Sequence, residues 1–536
     1  MEEVCRLARV EPVAVLLDTA VPPFKRRMKN LLRNIRANGW SYPLFRFAGA
    51  IRSLTTSAVN NAAVSRAEVA SVLKDAFPDR CFSLAELAAK YRMTIHTVGN
   101  LNSPAAAQVL AEFRADLGIV LGTRILKPST FSVPRLGSIN LHKGKVPEYR
   151  GMPPGFWELF DGASSAGVTV HFVDQGLDTG NIVATGTVPI LKLETPDSLL
   201  EKLDAEGTRV LALAVSAIRD GTASGQPQEK LSIKARSIPS RKEVAALRRK
   251  LPHWKTYGDV STIVRNLYTL SIYYFGIYWL VRQWHRLRPS RGAIFLYHRV
   301  NDYSKDPLTV DTETFAAQLL TISRRYPFST SADIVGRIRA GRLLAPTTIG
   351  IHFDDCYRDI LTNGAPIMKV LGVPACAFIN SGFIGTERTF EHDAAKYPFA
   401  YQMLRSDDVE AWNGLGFGVG AHTVNHVNLG QCAVADAEYE IVQCGQELEK
   451  IVGKRIDLFS FPFGGKDNIN GSAREIVKSA GYLALFSAHG GFLGRRTDSY
   501  DIPRIGISYE AAPVYCLLQI EGITLESIRL ALRGAL

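Results

Sequence analysis

The stretch TTIGIHFDD, Thr347–Asp355, is apolar and β-branched until it ends on two adjacent carboxylates. It reads as a buried strand with chemistry at its C-terminal end. The same pattern recurs on both sides: AIFLYHRV (293–300), PACAFIN (374–380), FGVGAHT (417–423), DLFSFPFG (457–464) and YLALFSA (482–488). Helical stretches such as AEYEIVQCGQELEKIVG (437–453) lie between them. Strands alternating with helices over roughly 240 residues predict an α/β body near the size of a (β/α) barrel.

Upstream lies another alternating pattern. EPVAVLLD (11–18), DLGIVLG (116–122), GSINLH (137–142) and VTVHFVD (168–174) read as strands. The stretch from Leu84 to Asn100 reads as a helix running into a short strand, 105–114 as a helix, and 198–221 as a long closing helix. This predicts a first α/β domain with a mostly parallel sheet. The 536 residues leave room for two or three domains. Hydrophobic residues at 46% and charged residues at 21% exclude a disordered chain. We divide the chain into 1–230, a basic aromatic linker at 231–291, and 292–536.

In the first domain, Asn140 and His142 alternate on one predicted strand and so share a face. Asp178 sits in the glycine-flanked loop GLDTG. An amide, an imidazole and a carboxylate together suit acyl transfer to an amine. The histidine takes the amine's proton, the carboxylate orients the histidine, and the amide donates to the oxyanion. A lone Asn-x-His on a strand is more often a satisfied core pair; the string around it decides. SINLHKGKVPEYRG (138–151) followed by GVTVHFVDQGLDTGNIV (167–183) resembles the formyltransferase family, over residues 10–235. The resemblance implies a Rossmann-like fold, 10-formyltetrahydrofolate as donor, and catalytic roles for Asn140, His142 and Asp178. It puts Arg150 and Gly151 in the substrate-side loop. That family opens on a strand, whereas MEEVCRLARV reads as a helix, so the first strand is expected to be absent or upstream.

In the second domain three clusters stand out: HFDDC (352–356), HTVNH (422–426) and FPFGG (461–465). His422 and His426 are four apart, and one helical turn would bring both to one metal. An Asp from a strand end completes an open three-ligand site, and the second carboxylate of the pair Asp354–Asp355 serves as base. Alone, the two acids read as helix caps and the histidines as a surface pair. Together, in this order, the clusters resemble the NodB-homology polysaccharide deacetylases, metal-dependent amidases with a distorted (β/α) barrel. That resemblance, over 290–510, puts the base on Asp354 and the metal ligands on Asp355, His422 and His426. The third motif, with Phe463 and Gly464, then lies at the substrate. Zinc is the default ion for this donor set. Cys356 stands where the family carries glycine. The general acid is open between His489, near the end, and His298, which ends the first strand of this domain.

Seven scattered cysteines without a CxxC pair fit a reducing compartment, and no signal peptide or ~20-residue span is visible. The net charge of +12 is concentrated. Residues 231–291 hold 13 Lys and Arg with two acids, and 24–53 hold eight with none. Within the linker, NLYTLSIYYFGIYWLV (266–281) is uncharged and rich in Tyr and Trp. It suits either an anionic membrane surface, without spanning it, or a buried helix docking the two bodies. Aromatics are not interleaved with the basic residues, so no nucleic acid partner is expected.

The expectation is a bifunctional bacterial cell-envelope enzyme, cytoplasmic and peripheral at the inner membrane face. It transfers a formyl group and hydrolyses an N-acyl group on an amino sugar, chitooligosaccharide-like or lipid-linked. The alternative is that one domain, the deacetylase by preference, is catalytic and the other a substrate-binding scaffold.

Overall fold

The computed structural model of the chain describes residues 2–19, 24–38, 41–192, 194–223, 225–229, 234–252, 254, 259–287, 291–304, 306–342, 347–394, 401–507 and 511–532. They divide into two units, Met1–Phe47 with Asp79–Thr256, and Ala48–Pro78 with Tyr257–Leu536.

In the first unit, strand Ala14–Asp18 pairs in parallel with Thr94–Val98. A four-stranded sheet follows, in the order Gly118–Val120, Ser138–His142, Ser165–Phe172, Ile182–Pro189. Its first pair is parallel, but the other two pairs are antiparallel. The sheet is therefore less parallel than the alternation suggested. Residues 173–181 are too few for the dozen or more that a parallel crossover needs, so the chain returns as a hairpin. Asp178 rides on that return. Helix Pro196–Arg219 starts at the N-cap Thr195, whose side chain accepts from Ser198 N–H, with Pro196 in the first turn. It buries Leu199, Leu203, Val210, Leu211 and Ala214 beneath the sheet, where Ile139, Val168 and Val170 meet them.

The basic segment is shared between the units. Residues 234–254 belong to the first. Arg236 N–H donates to the Arg150 carbonyl at 2.7 Å, and Trp157 Nε1 donates to the Ser237 carbonyl at 3.1 Å. Helix Arg241–Lys250, with a Ser240–Glu243 capping box, buries Leu247 in the same core as Phe156 and Leu199. Residues 259–287 belong to the second unit as helices Asp259–Tyr274 and Ile277–Leu287, parted at Gly276, whose φ is +81°. Tyr278 is fully buried, its hydroxyl 3.0 Å from that of Tyr326. Arg282 donates to the Arg325 carbonyl and Tyr268 to that of Ile523. The inner faces of this hairpin are thus packed within the second unit.

The second unit is built on a seven-stranded, all-parallel sheet. Its order is Ala484–Phe486, Leu458–Ser460, Gly418–Ala421, Cys376–Ile379, Thr348–Asp354, Gly292–Tyr297, Ile505–Gly506. An isolated parallel bridge between Phe486 and Ile502, shortly before Ile505–Gly506, draws the two edges of this curved sheet toward each other. Strands Gly292–Tyr297 and Thr348–Asp354 are buried throughout, which explains their near-continuous apolar runs. Helix Arg66–Ala76, far upstream in sequence, packs here against helices Thr312–Ser323 and Ala365–Leu371. It buries Val69, Val72 and Leu73, and Glu68 pairs with Arg324 at 2.7 Å.

One buried acid of the first unit has no evident catalytic task. Glu158, in helix Phe156–Asp161, is 1% exposed, and burial, with Asp161 nearby, pushes its carboxyl up to about 7. An unfolded Glu titrates at about 4.3. The folded chain therefore holds an extra proton between those values, a stabilisation lost as pH rises through about 7. Thermal melts should show Tm falling from about pH 4.5 to about pH 7 more steeply for the wild type than for Glu158→Gln, the difference levelling off above that. Equal slopes would dismiss this linkage.

Candidate active sites

Because all strands of this sheet run the same way, their carboxyl ends share one rim. Asp354 ends its strand and Asp355 follows with φ +74°. Asp355 Oδ1 lies 3.3 Å from His426 Nε2 and 3.7 Å from His422 Nε2. One ligand atom from each of the three residues falls within 4.8 Å of the others. The sequence thus brings together the expected triad, but by a different route. His422 and His426 do not lie on a helical turn. They follow strand Gly418–Ala421 in a loop where Thr423 and His426 take left-handed φ of +64° and +58°. His426 N–H donates to Thr423 Oγ1 at 3.0 Å, and the buried Asn380 amide donates to the His422 and Thr423 carbonyls. These bonds hold a convergence that helical geometry was expected to supply.

The triad passes a test for a divalent cation. His422 Nδ1 is 2.8 Å from the Ser460 carbonyl, so Nδ1–H donates there and Nε2 keeps its lone pair. Burial pushes the His422 imidazole down to about 4, against the pull of Asp354, leaving it neutral as a ligand must be. Burial also opposes charge on Asp355, but His426 and the neighbouring imidazoles outweigh it and hold the carboxyl well below its usual range. Asp355 Oδ1 is buried with no hydrogen-bond partner among the described residues. A charged oxygen left unpaired between two imidazole nitrogens is what a cation would satisfy.

Asp354 is occupied differently. Arg504 Nη1 and Nη2 donate to its two oxygens at 2.6 and 2.7 Å, a bidentate fork with both residues buried. Arg504 also donates to Ser460 Oγ at 2.6 Å and the Ser487 carbonyl at 2.9 Å. Burial would raise the Asp354 carboxyl, but Arg504 and His422 hold it below the ordinary value. Sequence reasoning missed Arg504. Its one signal is a charged residue inside the apolar run Ile502–Ile507, IPRIGI.

Of the two open acids, His298 is near the charges of Asp355 and Asp354, which pull its imidazole up while burial pushes it down further. His489 instead pairs with Asp501 at 3.2 Å and the Gly490 carbonyl. Cys356 is fully buried, and burial pushes its thiol up. Phe463 is exposed, with φ +64°, and its ring centroid lies 4.9 Å from that of His426. At Gly464 a Cβ would come within 2.3 Å of Ala488 Cβ, so only glycine fits beneath that ring.

In the first unit, Asp178 is the hub. Its Oδ2 lies 3.5 Å from His142 Nδ1 and accepts from Gly151 N–H at 3.1 Å; its Oδ1 lies 3.7 Å from His171 Nε2. Burial opposes its charge, but His171, His142 and the Gly151 amide hold the carboxyl below its ordinary value. His142 Nε2 faces the Tyr149 carbonyl at 2.8 Å. His171 also went unrecognised as a site residue. It lies opposite Asn140 across the antiparallel ladder, its Nδ1 at the Phe172 carbonyl and its Nε2 3.3 Å from Asn140 Nδ2. With Nδ1 at that carbonyl, Nε2 faces both the Asn140 amide and Asp178 Oδ1, which fixes where the amide lies. Gly151 has φ +97°, and a Cβ there would lie 2.1 Å from the Arg236 carbonyl oxygen. Arg150, next to it, is held through its carbonyl by Arg236. Asn140, His142 and Asp178 line a cavity of about 1910 Å³, bordered also by Arg124, Arg241 and Arg248.

Residues 54–215 match a family model described as Formyl transferase, and residues 344–485 match one described as Polysaccharide deacetylase. The methionyl-tRNA formyltransferase of Agathobacter rectalis is 36% identical over 144 residues, 27% of this chain and 46% of that protein. The chain spans about half the length of the curated relatives it matches. Among solved structures, the Streptococcus pyogenes deacetylase PplD in complex with acetate aligns at 20% identity. It covers 43% of this chain and 99% of that one, with a TM-score of 0.38. The formyltransferase PseJ from Anoxybacillus kamchatkensis aligns at 23% identity, covering 34% of this chain and 91% of that one, with a TM-score of 0.26.

Removing Arg504 would strand a buried carboxylate. Arg504→Ala should cost about 3–5 kcal/mol of stability in urea unfolding, and Arg504→Lys less, since it keeps the charge but not the fork. An Arg504→Ala protein as stable as the wild type would show that the pair contributes nothing.

Proposed function

With a formyl transferase domain and a polysaccharide deacetylase domain on one chain, we propose a bifunctional enzyme that both attaches and removes acyl groups on amino-sugar amines. In the first unit, 10-formyltetrahydrofolate is the formyl donor. The cavity of about 1910 Å³ exceeds the roughly 300–1,000 Å³ of a single small-ligand pocket, which leaves room for donor and acceptor together. The acceptor amine attacks the formyl carbon, a C–N bond forms, and the bond to the folate nitrogen breaks. His142 takes the amine's proton and returns it to the leaving nitrogen; Asp178 steadies the imidazolium. Asn140, aimed by His171, donates to the oxyanion. Arg150 and Gly151 shape the acceptor side of the site.

In the second unit, Asp355, His422 and His426 would hold a divalent cation, zinc by donor chemistry, which when bound polarises an amide carbonyl and acidifies water. Asp354 takes the water's proton as the nucleophile forms. Arg504 keeps Asp354 ionised and aimed. Of the two candidate acids, we favour His298, which feels the charges of Asp354 and Asp355, as donor of a proton to the departing amine; Phe463 closes the rim above His426. The group removed is formyl or acetyl from an amino sugar, chitooligosaccharide-like or lipid-linked. A lipid-linked substrate goes with a cytoplasmic enzyme held peripherally at the inner membrane face. Among the described residues no helix is long and apolar enough to cross a membrane. The observation that carries the assignment is the convergence of Asp355, His422 and His426 beside an Arg504-clamped Asp354.

Two measurements separate the sites. His142→Ala should lower formyl transfer to an amino-sugar panel by about 10²–10⁴-fold while deacylation persists. Unchanged transfer would remove the first assignment. Metal content by mass spectrometry, read beside the deacylation rate, tests the second. Asp354→Asn should keep the metal and lose hydrolysis; His422→Ala should lose both. Full activity in Asp354→Asn, or no divalent metal in the purified wild type, would leave this unit as a scaffold.

A further inference from the structure

The hairpin 259–287 uses its inner face for packing, yet its outer face is apolar too. On the first helix Val264, Leu267 and Tyr274 are exposed, spaced by three and seven; on the second, Leu280, Trp284 and Leu287 are exposed, spaced by four and three. Those spacings place each set along one side of its helix. Phe275, at the turn between the helices, is 81% exposed, and Leu280 and Leu287 are 72% and 80% exposed. Apolar side chains gathered on the outside of a packed hairpin mark a surface that meets a partner or lipid. Asn266 donates to Thr56 Oγ1 at 3.1 Å, which sets helix Ser41–Asn61 beside the first helix, and that neighbour adds Leu54, 70% exposed, with Arg52 close by in sequence.

Charge selects the occupant. Between Asp259 and Leu287 the sequence has no second acid, while the exposed Arg286 borders the apolar stripe on its own helix and the exposed Arg52 lies on the neighbouring one. A stripe of Tyr, Trp and leucine edged by arginines and free of carboxylates complements an anionic lipid surface. Length sets the orientation. Helices of 16 and 11 residues are about 24 and 17 Å long, short of the ~30 Å hydrocarbon core, so the hairpin lies in the plane of the surface.

We infer that the outer stripe of the 259–287 hairpin, from Val264 to Leu287, docks the enzyme on an anionic membrane surface. This deepens the membrane-peripheral reading above and rests on it for its setting. Leu280 and Trp284 insert among the acyl chains, and Arg286 stays at the headgroups.

The test is co-sedimentation of the full chain with phosphatidylcholine vesicles containing or lacking phosphatidylglycerol. The wild type should bind the anionic vesicles, and more weakly as salt rises toward physiological strength, since exposed charges are screened within about 8 Å there. Leu280→Ser with Trp284→Ser should weaken binding about tenfold or more. Tryptophan quenching by bromine on the acyl chains gives a reading that needs no destabilised variant. Quenching of the wild type should fall in Trp284→Phe, which still binds. Wild type that ignores anionic vesicles, a double variant that binds like the wild type, or quenching unaffected by Trp284→Phe would overturn the inference. So would a wild-type dimer by light scattering that the double variant converts to monomer, because the stripe would then cover a second copy. Formyl transfer and deacylation of soluble amino sugars, assayed without lipid, should be equal in wild type and double variant. Their loss in the wild type would count against the enzymatic assignment and not against docking.

Discussion

The buried fork between Arg504 and Asp354 is where the second unit's fold and chemistry meet. Arg504 immediately precedes Ile505–Gly506, the strand that pairs with Gly292–Tyr297 and ends the sheet. From there it reaches the end of the central strand at Asp354, the end of another at Ser460, and the Ser487 carbonyl beyond a third. Bringing two charges out of water is costly, and only full pairing makes it tolerable. Completion of the sheet and preparation of the proposed base are therefore one event. If the last strand drifts, the carboxylate loses its partner. Ser460 is shared in the same way, its hydroxyl facing Arg504 and its carbonyl orienting His422.

The first unit solves a similar problem without a guanidinium. Asp178 is held by one backbone N–H and two imidazoles, on a return loop where its own φ is +55°. The antiparallel register places His171 against Asn140, so the two strands bracket the cavity with side chains of fixed direction. In both units the carboxylates that matter stand on left-handed or strand-end backbone, and neighbouring hydrogen bonds keep them there.

Much of this was legible in the chain. The apolar runs announced most strands to within a few residues, because strands buried on both faces leave little room for polar side chains, but Ile182–Pro189 and Ile505–Gly506 went unread. The clusters around Asn140, Asp178, Asp354 and His422 announced side chains that the fold brings together. What stayed hidden depends on contacts between distant residues. Arg504 is 150 residues from Asp354, and nothing local marks it as its partner. The spacing of His422 and His426 suggested a helical turn because four residues also fit one. Only the Thr423–His426 and Asn380 hydrogen bonds disclose a loop. The antiparallel pairing of Ser165–Phe172 with Ile182–Pro189 follows from a short connection, not from the alternation of strand and helix. The hairpin 259–287 packs one face into the second unit and leaves apolar side chains exposed on the other.

The second unit draws on the chain twice. Helix Arg66–Ala76 supplies Val69, Val72 and Leu73 to that unit, while the chain before Ala48 and after Pro78 belongs to the first. No single cut of the gene can therefore release either half whole. A fragment from Tyr257 onward would bare the apolar flank of helices Thr312–Ser323 and Ala365–Leu371 that this helix covers, and a fragment ending at Thr256 would carry that helix with nothing to cover. Swapping either half with a relative by one crossover would meet the same obstacle, so the two halves are bound to be inherited as a pair.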